Sequence, residues 1–182
     1  MKKQKITYSQ SGVNYGDLDP VKKIAQEAGI HTSKNLLAHG FSEISDSRGE
    51  SSYVWKQGNI LMASVIEGLG TKNLVADEMS KITGRTYYDI IGHDTVATII
   101  NDLVSCGATP LTINAYWAVG DSSLFKNIQR TKYLINGWKN ACDLAKITWG
   151  GGETPTLRGI INKNAIDLGG SAVGIISSKK NI

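Results

Sequence analysis

Patterns typical of helices and of strands alternate along this chain, and this alternation restricts the fold more than any other feature of its sequence. The order is helix, two strands, two helices, strand, helix and two strands, with no internal repeat. The predicted helices span 21–28, 72–83, 94–106 and 121–145, and the predicted strands span 52–56, 60–66, 111–119, 146–149 and 165–177. Such interleaving favours an α+β layer of sheet and helices.

Local signals place several of the boundaries between these elements. Asp19 as a cap and Pro20 as the first helical residue predict the start of the first helix, and Gly29 predicts its end. Residues 31–51 lack strong periodicity and are expected to form a loop. Asp121 is expected to cap the last helix.

Composition and charge exclude several classes of protein. The 182 residues are 41% hydrophobic and 20% charged, with 20 glycines and 3 prolines, which are globular values. The net charge is +4, but the dense basic runs are short and terminal, at 2–5 and 179–180, so no nucleic-acid role is expected. No apolar stretch reaches the ~20 residues of a membrane span, so no membrane role is expected. Cys106 and Cys142 are too few for a disulfide framework, and a reducing cytoplasm is expected.

The first candidate for chemistry is a glycine-rich corner at 67–72, between a predicted strand and a predicted helix. Gly68 and Gly70 let backbone N–H groups approach a phosphate, and the start of the following helix favours an anion. Lys72 adds a positive charge, and Glu67 is placed to hold a magnesium ion. The corner is not a Walker A loop, because the Gly-Lys-Ser/Thr order is absent. It is not a dinucleotide fingerprint, because Asn73 stands where the third glycine belongs. A tight turn with an exposed acid is the alternative.

The second candidate is the polar face of the helix predicted at 94–106. Asp94, Asn101 and Asp102 fall within one arc of about 100°. Carboxylates on one face repel each other, and hard oxygen ligands of this kind suit magnesium. An ordinary amphipathic helix with an acidic wet face is the alternative.

Two further segments carry acids next to glycines. Residues 150–154 read Gly-Gly-Gly-Glu-Thr directly after a predicted strand. Glycines have no side chain to pack, so close approach of the backbone to a ligand is one reason for three in a row. Glu153 is placed to bind a metal or a ligand amine or hydroxyl. A flexible loop is the alternative. Asp167 opens the last predicted strand, where a capping or turn role is the alternative to metal binding.

These segments together resemble aminoimidazole ribonucleotide synthetase, the phosphoribosylformylglycinamidine cyclo-ligase family of purine synthesis. The family's Asp-Gly-Val-Gly-Thr-Lys stands here as Glu-Gly-Leu-Gly-Thr-Lys. Five further segments match the family's other motifs. They are Tyr-x-x-x-Gly-Val-Asn at 8–14, Asp94 with Asn-Asp-Leu-Val at 101–104, Tyr-Trp-Ala-Val-Gly at 116–120, Gly-Gly-Glu-Thr at 151–154 and Asp-Leu-Gly-Gly at 167–170. Their common order across 8–176 is more specific than any one motif.

The resemblance implies a fold, an activity and a set of roles. The implied fold is a mixed or antiparallel sheet with helices on one face, pairing with a second copy into a dimeric β-barrel core. The implied activity is the ATP-dependent, magnesium-dependent closure of formylglycinamidine ribonucleotide to the imidazole in the cytoplasm. The implied roles fall to three groups: catalytic Lys72, Asp94 and Glu153; nucleotide-binding Gly68, Gly70, Thr71, Lys72, Asn101, Gly151, Gly152 and Thr154; and metal-binding Glu67, Asp94, Asp102 and Asp167.

Three departures from the family qualify what the resemblance implies. Glu67 replaces an aspartate, which lengthens the ligand by one methylene. The segment after Thr154 lacks the family's Met-Pro-Gly pattern, so the substrate is left open. Residues 1–182 correspond to the family's amino-terminal domain alone, and little turnover is expected without the second domain. The alternatives are a non-catalytic dimerisation module, or a related ATP-using enzyme resembling selenophosphate synthetase, thiamine-monophosphate kinase or the hydrogenase-maturation enzyme.

Overall fold

A computed structural model of the chain describes residues 9–177. The terminal basic runs and Tyr8 of the first motif lie outside these residues. The chain divides into two compact units, Met1–Glu43 and Ile44–Ile182, which are described separately. The assignment of 1–182 to one amino-terminal domain stays a prediction.

The first unit contains helices α1 (Tyr15–Ile30) and α2 (Lys34–Leu37) and a two-residue strand, β1 (Ser42–Glu43). The predicted start of the first helix is wrong. Asn14 is the N-cap, since its side chain accepts a hydrogen bond from the Gly16 amide, and Pro20 lies inside the helix. Residues 31–51, predicted to be a loop, contain α2, β1 and a short 3-10 turn at Ser45–Ser47.

The second unit is built on a mixed sheet. Its strands are β2 (Tyr53–Gln57), β3 (Ile60–Gly68), β4 (Thr109–Val119), β5 (Thr148–Glu153) and β6 (Ile166–Ile176). Within this unit they lie in the order β2-β3-β6-β4-β5, antiparallel except for the parallel pair β4 and β5. The hairpin predicted between the first two strands is present, with Gln57 paired to Ile60 and Gly58 at a φ of +57°.

Helices cover one face of this sheet. They are α3 (Lys72–Thr83), α4 (Tyr88–Ser105) and α5 (Ile128–Ala145). The helix α4 packs against β3 and β6, and α3 and α5 pack against α4. The buried residues that join these layers include Leu61, Ala63 and Val65 of β3 and Val96, Ile99 and Leu103 of α4. The predicted α+β layer with a mixed sheet is therefore confirmed.

Three element boundaries differ from those predicted. The helix α4 begins six residues earlier than expected, where the side chain of Tyr88 is fully buried. Asp121 caps a 3-10 turn, Ser122–Lys126, while Asn127 caps α5 itself by accepting a hydrogen bond from the Arg130 amide. The strand β5 continues through all three glycines to Glu153, so residues 150–153 are not a flexible loop.

The other face of the sheet carries apolar side chains that α3, α4 and α5 do not cover. Along β3 and β6, buried side chains alternate with partly exposed ones, which point to this face and include Met62, Val173 and Ile175. Ile66, also on this face, is 82% exposed. The sheet of one chain is open rather than closed into a barrel. None of the helices within residues 9–177 combines the length and apolarity needed to cross a bilayer.

Candidate functional site

Four neighbouring strands enclose a cavity of about 590 Å³ at one end of the sheet. Its lining consists of 66–68 from β3, 114–116 from β4, 152–153 from β5 and 167–171 from β6. Three carboxylates line it, from Glu67, Glu153 and Asp167, and its described lining includes no lysine, arginine or histidine. The site is therefore a concave, acidic pocket between strands that are far apart in sequence.

Glycines allow the strands around this cavity to approach each other closely. A Cβ on Gly170 would lie 2.3 Å from the carbonyl oxygen of Asn114, and one on Gly169 would lie 2.9 Å from that of Glu67. A Cβ on Gly152 would lie 2.3 Å from the carbonyl oxygen of Ala115. Steric contact with a neighbouring strand, rather than space left for a ligand, explains the glycine at these positions.

The glycine-rich corner leaves β3 at Gly68 and enters α3 at Lys72, as predicted. Gly70 has a φ of +72°, which favours glycine, whereas a Cβ on Gly68 would make only an ordinary 3.7 Å contact. The fold therefore does not require glycine at 68, which leaves that stretch of backbone open to a ligand.

Asn73 holds the corner to the sheet. It is 3% exposed, and its side-chain amide donates a 2.6 Å hydrogen bond to the Ile166 carbonyl of β6. The residue that breaks the dinucleotide fingerprint is thus a structural tie between the start of α3 and the start of the last strand.

Lys72 and Asp94 form an ion pair beside the corner. The Lys72 ammonium donates to the Asp94 carboxylate at 2.9 Å, and both side chains are about half exposed, 56% and 42%. An exposed pair of this kind contributes little to stability. The pair is therefore free to exchange partners when an anion or a cation binds.

Glu67 and Asp102 bring two negative charges into the same region. Burial raises the pKa of the Asp102 carboxyl, and the neighbouring charge of Glu67 raises it further. Glu67 itself accepts a 2.9 Å hydrogen bond from the Gly68 amide. The arrangement has the hard oxygen donors that magnesium prefers.

Within residues 9–177, no three or more His, Cys, Asp and Glu side chains come together as a ready-made metal cage. Magnesium bound to a nucleotide does not need one, because it takes most of its ligands from phosphates and water and one or two from carboxylates. The chemistry of Glu67 and Asp102 fits an ion of that kind.

The strand β5 reaches the cavity through an irregularity in its pairing with β4. Ile113 pairs with Trp149 and Asn114 with Gly151, so Gly150 is an extra residue in the ladder. Gly151 has a φ of +151°. The indole N–H of Trp149 donates a 2.8 Å hydrogen bond to the Gly151 carbonyl. Beyond this bulge, Gly152 and Glu153 line the cavity.

The predicted site residues therefore fall into distinct groups in the structure. Glu67, Gly68, Gly152, Glu153 and Asp167 line the cavity. Lys72 pairs with Asp94, and Glu67 acts electrostatically on Asp102. The remaining predicted residues, which do not line the cavity, are Gly70, Thr71, Asn101, Gly151 and Thr154. The roles assigned to all of them stay predictions.

Sequence reasoning missed the contribution of β4 to the cavity. Asn114 and Tyr116 line it, and they alternate with the buried Ile113, Ala115 and Trp117. That alternation, visible in the sequence, indicates that the two side chains share the uncovered face. It does not reveal that this face meets the ends of β3 and β6.

Comparison with known proteins agrees with this architecture. Residues 49–176 match the family model described as AIR synthase related protein, N-terminal domain. The phosphoribosylformylglycinamidine cyclo-ligase of Carboxydothermus hydrogenoformans is 32% identical over 184 residues, covering 98% of this chain and 49% of that protein. The cyclo-ligase of Thermodesulfovibrio yellowstonii is 32% identical over 179 residues, covering 97% of this chain and 48% of that protein. The chain thus spans about half the length of the curated relatives it matches.

A solved structure supports the fold. AaThiL complexed with AMPPCP and TMP superimposes with a TM-score of 0.60 at 13% sequence identity, covering 96% of this chain and 45% of that one. Strand order, the motifs around the cavity and the family match agree, and the chain belongs to the AIR synthase related family as its N-terminal domain.

Proposed function

We propose that this chain is the nucleotide-binding, amino-terminal half of an ATP-dependent cyclo-ligase that closes formylglycinamidine ribonucleotide to aminoimidazole ribonucleotide. The acidic cavity is the observation that carries the proposal. Three carboxylates without a basic residue among its described lining repel a triphosphate unless a divalent cation accompanies it. The similarity to cyclo-ligases over nearly the whole chain supports this reaction.

The proposed chemistry has two stages. The terminal phosphoryl group of ATP passes to the formyl amide oxygen of the substrate, and ADP leaves. The amidine nitrogen then attacks the activated carbon, phosphate leaves with the former amide oxygen, and a proton is lost. Both stages develop negative charge on phosphoryl oxygens, which backbone N–H groups and cations stabilise.

The residues of the corner have separate roles in this proposal. The backbone at Gly68, Gly70 and Thr71 approaches the phosphates, and the first turn of α3 presents N–H groups that have no partner within the helix. Lys72 exchanges Asp94 for a phosphate oxygen, since their exposed ion pair is weak. Asn101, Gly151 and Thr154 complete the nucleotide-binding set that the resemblance implies.

Magnesium, when bound, neutralises the phosphates. We infer that Glu67, Asp94 and Asp102 hold it and that Asp167 lies close by. Bringing a cation to Glu67 and Asp102 removes the repulsion between these carboxylates. Glu153 faces the substrate from the opposite wall of the cavity.

We also propose that two copies of the chain pair through the uncovered face of the sheet, forming a closed barrel. Uncovered apolar side chains on this face support the pairing. A cytoplasmic location is part of the proposal and agrees with Cys106 and Cys142, which are both free thiols. Neither a nucleic acid nor a membrane is a proposed partner.

Calorimetric titration with AMPPCP tests the nucleotide site, because it measures binding without requiring turnover. We expect micromolar binding with magnesium and little or none in EDTA. Asp94→Asn removes one negative ligand, and we expect it to weaken binding at least about tenfold.

The matched control is Asp143→Asn. Asp143 forms an exposed ion pair with Lys139 on α5 and does not line the cavity, so its loss is expected to leave the affinity unchanged. If the wild-type chain gives no heat with magnesium and AMPPCP, the non-catalytic dimerisation module is the better interpretation. Equal losses in the two variants contradict the assignment of Asp94 as a ligand.

A further inference from the structure

The bulge in β5 lies directly before Gly152 and Glu153, the residues of that strand that line the cavity. Gly150 is the extra residue in the ladder, and Gly151 takes a backbone conformation that side chains disfavour. A bulge on an edge strand gains fewer backbone hydrogen bonds than a regular ladder, so its geometry depends on additional contacts. The 2.8 Å bond from the Trp149 indole to the Gly151 carbonyl is such a contact.

A rigid aromatic cluster fixes the indole that makes this bond. The rings of Trp117, Trp138 and Trp149 lie within 5.6–5.8 Å of one another, and Trp138 is fully buried. Such contacts restrict the orientation of each ring. The indole N–H groups of Trp117 and Trp138, by contrast, have no acceptor within residues 9–177. Of these three indoles, only that of Trp149 therefore donates a hydrogen bond to the backbone of β5.

We propose that Trp149 is a positioning residue: its indole N–H fixes the backbone conformation of the bulge at Gly151 and so holds Glu153 against the cavity. This hydrogen bond, between Trp149 and Gly151 of β5, connects the aromatic cluster in the core to the wall of the cavity. Its consequence for ligand binding rests on the proposed function, whereas its consequence for the geometry of β5 does not.

The test compares Trp149→Phe with Trp117→Phe. Both substitutions remove an indole from the same cluster and keep an aromatic ring, but only the first removes a hydrogen bond to β5. Amide hydrogen exchange of residues 150–154 measures how well the bulge is held in place, and it needs no ligand. We expect exchange about fivefold faster in Trp149→Phe, the effect of one lost hydrogen bond, and unchanged exchange in Trp117→Phe.

AMPPCP titration with magnesium gives the second readout. We expect affinity about threefold to tenfold lower in Trp149→Phe than in Trp117→Phe, because the bulge also positions Gly151 and Thr154 of the proposed nucleotide-binding set. Equal exchange in residues 150–154 of both variants overturns the proposal, because Trp149 then contributes only packing. If exchange separates the variants but wild-type protein binds no nucleotide, the positioning role stands and the proposed function fails.

Discussion

At the scale of single residues, neighbouring glycines of β5 have different physical requirements. A Cβ on Gly152 would lie 2.3 Å from a backbone oxygen of Ala115, and this contact cannot relax without separating β4 from β5. A Cβ on Gly150 would lie 3.2 Å from the Asn114 side chain, which can move.

This difference predicts the stability of two alanine variants. Gly152→Ala is expected to lower the free energy of unfolding by about 1–3 kcal/mol, the usual cost of overpacking. Gly150→Ala is expected to change it by less than about 1 kcal/mol, since alanine also loses less entropy on folding. Urea denaturation followed by circular dichroism measures both. Equal destabilisation of the two variants would mean that contact with β4 is not the reason for glycine at position 152.

At the scale of elements, α4 and α5 approach each other through a pair of glycines. Gly137 lies inside α5, where glycine weakens a helix, yet a Cβ there would lie 1.9 Å from the Asp89 carbonyl oxygen of α4. A Cβ on Gly92 of α4 would lie 2.5 Å from the Leu134 carbonyl oxygen of α5. Close packing of two backbones, rather than local propensity, accounts for both residues.

Gly137→Ala is therefore expected to destabilise the protein by about 2 kcal/mol, although alanine is the better helix former by about 1 kcal/mol. Asn136→Ala is the control on the same helix, because its side chain is exposed, and a change within about 0.5 kcal/mol is expected. Chemical denaturation distinguishes them. A more stable Gly137→Ala variant would show that helix propensity outweighs the contact with α4.

At the scale of the whole molecule, the uncovered face of the sheet is the surface through which we propose that two copies pair. Val173 lies at the centre of this face, paired across to Ser64 on one side and Thr112 on the other. Its neighbours Ala172 and Gly174 are buried on the helical side. A charge at 173 therefore enters any interface built on this face.

Val173→Glu is expected to convert the proposed dimer into a monomer, because two buried carboxylates would face each other across the proposed interface. Val75→Glu, on the exposed side of α3, is the matched control and is expected to leave the dimer intact. Light scattering coupled to size-exclusion chromatography gives the mass of each variant. A monomeric wild-type chain, or a dimeric Val173→Glu variant, contradicts pairing through this face.

The sequence by itself determined the elements and the chemistry available to them. The hairpin at 57–59, the corner from Gly68 to Lys72 and the end of α3 at Gly84 follow from turn chemistry within a few residues. The acids of the site were identifiable for the same reason, since each stands next to a glycine turn or on a polar helix face. Asn14 replaced Asp19 as the first cap because two capping residues compete there, and sequence alone does not rank them.

Only the tertiary structure decided which of these residues meet. The pairing of Lys72 with Asp94 spans 22 positions, and the cavity joins Glu67 to Asp167 across one hundred. The glycines at 137 and 152 and the hydrogen bond of Trp149 also depend on which backbones come into contact. Those contacts depend on how strands distant in sequence align, and no local pattern encodes that alignment.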